Sequence, residues 1–243
     1  MSAASFAEET TTHSARLATL RGVTEHRMLE TTQLLGALPP DALESLRAAS
    51  TVRDVQRNEV LFKRGDRATE LFGIISGRVA ILTQAPDGRE SLVAVLDEGS
   101  LFGELGLFDE GPRSADARAL ETTQVLVLEY EAVRAAIKAE PQLLWIIIRV
   151  LARRLRTTDD SLADAVFLDV PGRTAKRLLE LSADNDEFRL RMTQEDLAGL
   201  VGASRERVNK ALSMFTRLGW LEVEGRNRYR ILDRTSLEER AEL

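Results

Sequence analysis

Residues 193–215 run TQEDLAGLVGASRERVNKALSMF, and their spacing predicts two short helices meeting at a tight turn. Thr193, followed three residues later by Asp196, makes a capping-box start in which hydroxyl and carboxylate satisfy backbone N–H groups left open by the first turn. Leu197, Ala198 and Val201 share one face, Gly202 permits the turn, and Ser204 caps a second helix with inner residues Val208, Ala211 and Leu212. Those offsets describe a helix-turn-helix. The outer face of the second helix carries Arg205, Glu206, Arg207, Asn209 and Lys210. In a major groove, Arg and Lys donate to guanine edges and Glu accepts from cytosine. WLEVEGRNRYRILD (220–233) then reads as a hairpin with Arg226, Arg228 and Arg230 around its turn, which makes a wing. The plainer alternative is a small helical bundle with a solvated charged face. Caps, turn glycine, face chemistry and basic hairpin together weigh against it.

Upstream the pattern changes. From Ser50 to Tyr130, short β-like runs (NEVLFKRGD, LFGIISGRVAILTQ, ESLVAVLDEGSLFGE, TTQVLVLEY) are separated by turn signals, the pattern of a compact antiparallel barrel or roll. Gly65, Gly77 and Gly99 are turn glycines in this reading. EAVRAAIKAEP ends at Pro141, and a helix is predicted over 142–168. Leu144, Ile148, Leu151, Leu155, Thr158, Leu162 and Ala165 alternate at spacings of 4 and 3, the stripe of a helix paired with a second copy. Packing on its own domain is the competing explanation. FLDVPGR (167–173) breaks the helix, with Asp169 as a cap and hinge. Residues 1–27 read as a mobile tail without a function. LETTQLLGAL and DALESLRAA, the latter capped by Asp41, read as helices. The expected division is a tail over 1–27, a β-roll domain over 28–141, a long helix over 142–168 and a DNA-binding domain over 169–243.

Composition narrows the chemistry. The chain has 243 residues, 44% apolar and 30% charged, with a net charge of −6. The acid belongs to the first 170 residues (19 Lys+Arg against 26 Asp+Glu), while the remainder is nearly balanced, 14 against 13. No cysteine is present, which excludes disulfides, iron–sulfur clusters and thiol catalysis. Both histidines, His13 and His26, lie near the N-terminus, so no metal site or haem ligation by His is expected elsewhere. The longest apolar run, Leu143 to Ile148, is too short for a bilayer, and the N-terminus lacks the pattern of a secretory signal. A cytoplasmic protein that is not an enzyme is expected.

A second motif is FGELGLFDEGPRSADARA, residues 102–119. Between strands, such a run can form a short helix whose N–H groups face an anion, with a guanidinium alongside to grip phosphate oxygens. Glu104 can accept from a sugar hydroxyl. On spacing alone Arg113 has another option, pairing with Asp109 or Glu110 on a solvated loop.

From about Leu34 to Ile231 the chain resembles the cyclic-AMP receptor family of bacterial regulators (the Crp–Fnr superfamily), most closely its actinobacterial type. FGELGLFDEGPRSADARA is similar to the family's phosphate-binding cassette, LARRLRTTDDSL to its dimerisation helix, FLDVPGR to its hinge and VGASRERVNKAL to its recognition helix. The resemblance implies an α+β protein: a cyclic-nucleotide-binding β-roll, a long dimerisation helix and a winged helix-turn-helix. It implies a homodimer that binds double-stranded DNA, takes cyclic AMP as allosteric effector and meets RNA polymerase, with no metal and no membrane. Carried over by position, Arg113 and Ser114 would hold the phosphate, with Glu104 on the ribose 2′-hydroxyl. The ligand set is then Gly103, Glu104, Leu105, Arg113, Ser114, Ala115, Arg154, Thr158 and Asp159. Thr158 would meet adenine from its own subunit. The next position, often Ser in the family, would meet it from the partner; here it is Asp159, which accepts but cannot donate. Arg154, one turn earlier, is placed to neutralise that carboxylate. On the DNA side the set is Thr193, Ser204, Arg205, Glu206, Arg207 and Lys210, facing palindromes with TGTGA-like half-sites. Two other readings stay open: the same regulator with cyclic GMP or no ligand, and a nucleotide-binding module acting through protein contacts.

Overall fold

Alternation along the strands sets the architecture of the computed structural model, which describes residues 44, 46–84, 90–225 and 227–242. The predicted tail, both histidines, the LETTQLLGAL helix, Asp41, the PDGR turn and Arg226 lie outside these residues. Eight strands are β1 (Ser50–Val55), β2 (Val60–Phe62), β3 (Glu70–Ser76), β4 (Val79–Gln84), β5 (Glu90–Leu96), β6 (Leu101–Phe102), β7 (Asp116–Ala119) and β8 (Thr123–Glu129). They form two antiparallel four-stranded sheets, ordered β1-β8-β3-β6 and β2-β7-β4-β5. The chain passes repeatedly from one sheet to the other, which makes a roll.

In β8, Val125 and Val127 face the second sheet, packing with Phe72, Ile74, Val79 and Phe102. Leu126 and Leu128 point the other way, onto helices. Those helices are α2 (Tyr130–Ala139) and α3 (Gln142–Phe167), after the short cassette helix α1 (Leu105–Asp109). Leu143, Ile146 and Ile147 bury the first turns of α3 on the roll, with Val150 and Leu151 against them. The helix thus packs on its own domain along one face of its first turns. Ile148, Leu155 and Leu162 of the stripe stay exposed, the last two at 63% and 64%. Gly77 and Gly103 take φ of +86° and +77°, and a Cβ on Gly77 would strike Thr123.

The C-terminal part holds α4 (Val170–Ser182), β9 (Glu187–Arg189), α5 (Gln194–Val201), α6 (Arg205–Arg217), β10 (Leu221–Glu224), β11 (Arg228–Ile231) and α7 (Arg234–Glu242). Leu178, Leu197, Val208, Phe215 and Tyr229 centre its core. The segment SADNDEFRLRM (182–192) contains β9, which completes a sheet ordered β10-β11-β9. Its pairing to a strand some forty residues later is invisible to local pattern.

The capping box is complete: Thr193 Oγ1 accepts from the Asp196 N–H and Asp196 accepts from the Thr193 N–H. Thr193→Ala should cost about 1 kcal/mol of stability, at most ~2. A denaturant midpoint that does not move would contradict this.

Candidate functional site

The cassette is built around a buried cation. Phe102 ends β6, Gly103 turns the chain at positive φ, and Leu105 opens α1. Arg113 returns beneath this turn and is only 6% exposed. Its Nη1 donates to the Gly103 carbonyl at 2.9 Å and lies 3.4 Å from the Tyr130 hydroxyl, which itself donates to Gly103 at 2.5 Å. The guanidinium stands 4.2 Å over the Phe62 ring and 5.4 Å from that of Phe72. A Cβ on Gly103 would come within 2.7 Å of Nη1, so the glycine is needed for room as well as for φ. Among the described residues, Arg113 Nε is buried without a hydrogen-bond partner. Such an atom costs roughly 1–3 kcal/mol until something accepts from it. Burial pushes the guanidinium pKa down, against Tyr130, Glu70, Asp66 and Glu104, which pull it up.

The alternative raised by spacing fails. Arg113 forms no ion pair with Asp109 or Glu110: Asp109 accepts from the Gly111 N–H, and Glu110 is exposed in the left-handed region. Of the remaining predicted ligand residues, Ser114 and Leu105 are exposed and Ala115 is half-buried.

Glu104 is buried at 2% exposure, and its Oε1 accepts from Arg154 Nη1 at 2.5 Å. Arg154 also donates to the Leu101 carbonyl. This corrects the expectation that Arg154 neutralises Asp159: its fork is committed to the cassette. Asp159 and Thr158 are exposed one turn further along α3, with Thr158 Oγ1 donating to the Arg154 carbonyl at 2.9 Å. Arg154 therefore ties the long helix to the cassette one turn from both residues. Phe62 and Tyr130, which hold Arg113, carry no local signal of that role.

On the C-terminal part, Ser204 caps α6, and Arg205, Glu206, Arg207, Asn209 and Lys210 all face solvent. Lys210 Nζ lies 2.6 Å from Glu206 Oε1, and that bond holds the Glu206 carboxyl below its usual pKa. Two of the expected base readers thus occupy each other. In the wing, Arg228 pairs with Glu224 and Arg230 with Glu187 and Glu222, so its charge is less available than the arginine spacing implied. Gln194, Asn209, Ser213, Thr216 and Arg217 line a cleft of about 610 Å³ between α6 and the wing. Asp169 caps α4 through the Gly172 N–H and takes both oxygens to Arg240 of α7.

Burial alone would raise the Asp169 pKa, but the Gly172 and Arg240 bonds outweigh it and hold the pKa down. A depressed folded pKa contributes stability above the ordinary carboxylate value (~4) that is lost as pH falls through the folded value. Asp169→Asn should therefore flatten the acid limb of the stability curve below about pH 4. An unchanged limb would contradict the cap.

Two family models match: the cyclic nucleotide-binding domain over residues 52–140 and the Crp-like helix-turn-helix domain over 172–240. A "CRP-like cAMP-activated global transcriptional regulator" of Mycobacterium tuberculosis is 41% identical over 195 residues, covering 77% of this chain and 87% of the relative. The "cAMP-activated global transcriptional regulator CRP" of Salmonella typhimurium is 34% identical over 173 residues, 68% of this chain and 82% of the relative. Among solved structures, "the c-di-GMP Responsive Global Regulator CLP" of Xanthomonas campestris superposes with a TM-score of 0.71 at 27% identity, over 79% of this chain and 99% of that one. A sensor roll joined to a DNA-binding helix-turn-helix defines a ligand-responsive transcription regulator. The chain belongs to the Crp family of these regulators, whose members here are not enzymes. Among the described residues, no helix is long and apolar enough to cross a membrane.

Proposed function

We propose that this chain is a cytoplasmic, homodimeric, cyclic-AMP-responsive regulator that binds palindromes with TGTGA-like half-sites. The observation that carries the ligand half is Arg113: a buried guanidinium with an unsatisfied Nε, set beneath a glycine turn. A cyclic phosphate supplies the missing acceptor and the missing charge together. Gly103, Glu104, Leu105, Ser114 and Ala115 surround the phosphate and sugar in this reading, with Arg154 linking them to Thr158 and Asp159. Glu104 would then share its carboxylate between Arg154 and the ribose. The exposed leucines of α3 would meet those of a second copy, placing two α6 helices one turn of DNA apart, ~34 Å. Arg205, Glu206 and Lys210 would read bases, with Thr193, Ser204 and Arg207 on phosphates and Asp169 as hinge. RNA polymerase is the expected further partner.

Asp159 favours a second reading, in which cyclic GMP is the ligand. A carboxylate accepts from the amino group of adenine, and equally from the N1–H and amino group of guanine. Titration calorimetry with both nucleotides separates the readings: the first expects tighter binding of cyclic AMP, and tighter binding of cyclic GMP would replace it with the second. A gel shift on the palindrome tests the DNA half. No retarded band with either nucleotide would leave only a module acting through protein contacts.

A further inference from the structure

Strand β4 is apolar on both faces. Val79 and Ile81 enter the roll core, while Ala80 and Leu82 point away from it. On that outward face Ala80, Leu82 and Leu92 of β5 are buried, and their cover includes Leu200 of the DNA-binding part. Gly199 of α5 sits so close to β5 that an added Cβ would lie 2.8 Å from Leu92 Cβ and 2.9 Å from its backbone nitrogen. Beside this contact is Arg78, 8% exposed. Its Nε donates to Glu121 Oε1 at 3.0 Å, and its Nη2 reaches Glu121 Oε2 at 3.4 Å. The same Nη2 donates to the carbonyl of Arg191, two residues before the α5 cap. The Arg78 bond holds the Glu121 carboxyl below its usual pKa.

The position of this clasp matters. Arg113, Ser114 and Ala115 lead straight into β7, and the chain leaves β7 through Leu120 and Glu121. Strand β7 pairs with β4 from Asp116–Leu82 to Ala119–Val79, and the Leu120 N–H donates to the Arg78 carbonyl at 2.9 Å. One strand thus has the phosphate residues at its start and a clasp residue just past its end. The recognition residues on α6 stay exposed, so the clasp does not mask them.

We propose that Arg78, Glu121 and the Arg191 carbonyl, with Leu92 seated on Gly199, form the interdomain contact through which cassette occupancy sets the orientation of the DNA-binding part. The coupling role rests on the cyclic-nucleotide reading above; the clasp as a mechanical contact does not. A displacement of β7 changes the reach of Glu121 towards Arg78, and the two orientations then differ in free energy.

Gly199→Ala and Arg78→Met test this in the full chain. Alanine raises the helix propensity of α5, so loss of coupling in that variant is not explained by a weaker helix. Methionine keeps the apolar stem of Arg78 without its charge. Three quantities are measured: cyclic-AMP affinity, chymotryptic cleavage after the exposed Phe167 at the hinge, and the ratio of DNA affinities with and without cyclic AMP. Both variants should keep nucleotide affinity within about twofold, cleave faster, and lose roughly fivefold or more of the ratio. A wild-type ratio in both variants overturns the proposal, whatever the cleavage shows. A wild-type protein whose DNA affinity ignores cyclic AMP refutes the nucleotide reading and the coupling role with it. Faster cleavage of both variants would then still establish the clasp, and unchanged cleavage would remove it too.

Discussion

Arg113→Leu is expected to weaken cyclic-AMP binding by roughly 10²–10⁴-fold while leaving the fold at least as stable as before. The two halves of that expectation come from one side chain. A guanidinium that donates twice to a phosphate makes hydrogen bonds to a charged group, each worth ~1.5–3 kcal/mol. Their loss together gives the stated range, since about 1.4 kcal/mol is tenfold. Without an anion the same side chain is a burden: it is nearly inaccessible, its Nε has no acceptor among the described residues, and burial pushes its pKa down. Leucine among Phe62, Phe72 and Phe102 removes that cost. Tyr130 still donates to the Gly103 carbonyl, so the turn is not orphaned. Calorimetry and a denaturant titration check both halves, and wild-type nucleotide affinity in the variant would contradict the phosphate role.

Leu155→Asp with Leu162→Asp is expected to give a monomer that binds the full palindrome about 10²–10⁴-fold more weakly. Both leucines are nearly two-thirds exposed on α3, so the substitutions should not disturb the protomer. At a helix seam each would bury an unpaired charge on both copies, which costs several kcal/mol per ion. The DNA penalty follows because a dimer binds its second half-site intramolecularly, and separation forfeits that gain. Sedimentation and fluorescence anisotropy read the two effects. A doubly substituted protein that still sediments as a dimer would show that the α3 stripe is not the seam.

What the sequence made legible follows the range of the interactions. The helix-turn-helix was readable because its signals are local: the Thr193–Asp196 box, Gly202 and Ser204 all act within a turn or two. The roll was readable from strand alternation, and Asp169 from its place before Pro171. The Lys210–Glu206 pair was also within reach, since residues four apart on a helix are neighbours. What escaped is long-range. Arg154 meets Glu104 across 50 residues, β9 finds β11 across the whole helix-turn-helix, and Arg78 reaches Arg191 across 113. Phe62 and Tyr130 look like ordinary roll and helix residues until Arg113 is seen between them. The double-sided apolar pattern of VAILT (79–83) is visible in the sequence, but nothing local says that α5 covers its outer face.

The central claim is that a nucleotide in the cassette changes how α6 meets DNA. The most direct test is the affinity of the full chain for a duplex carrying the TGTGA palindrome, measured by fluorescence anisotropy with and without saturating cyclic AMP at one fixed salt concentration. Coupling of the usual size, ~1–3 kcal/mol, predicts DNA binding about 5–150-fold tighter with the nucleotide. Equal affinity in both conditions, with cyclic AMP shown to be bound, would contradict it.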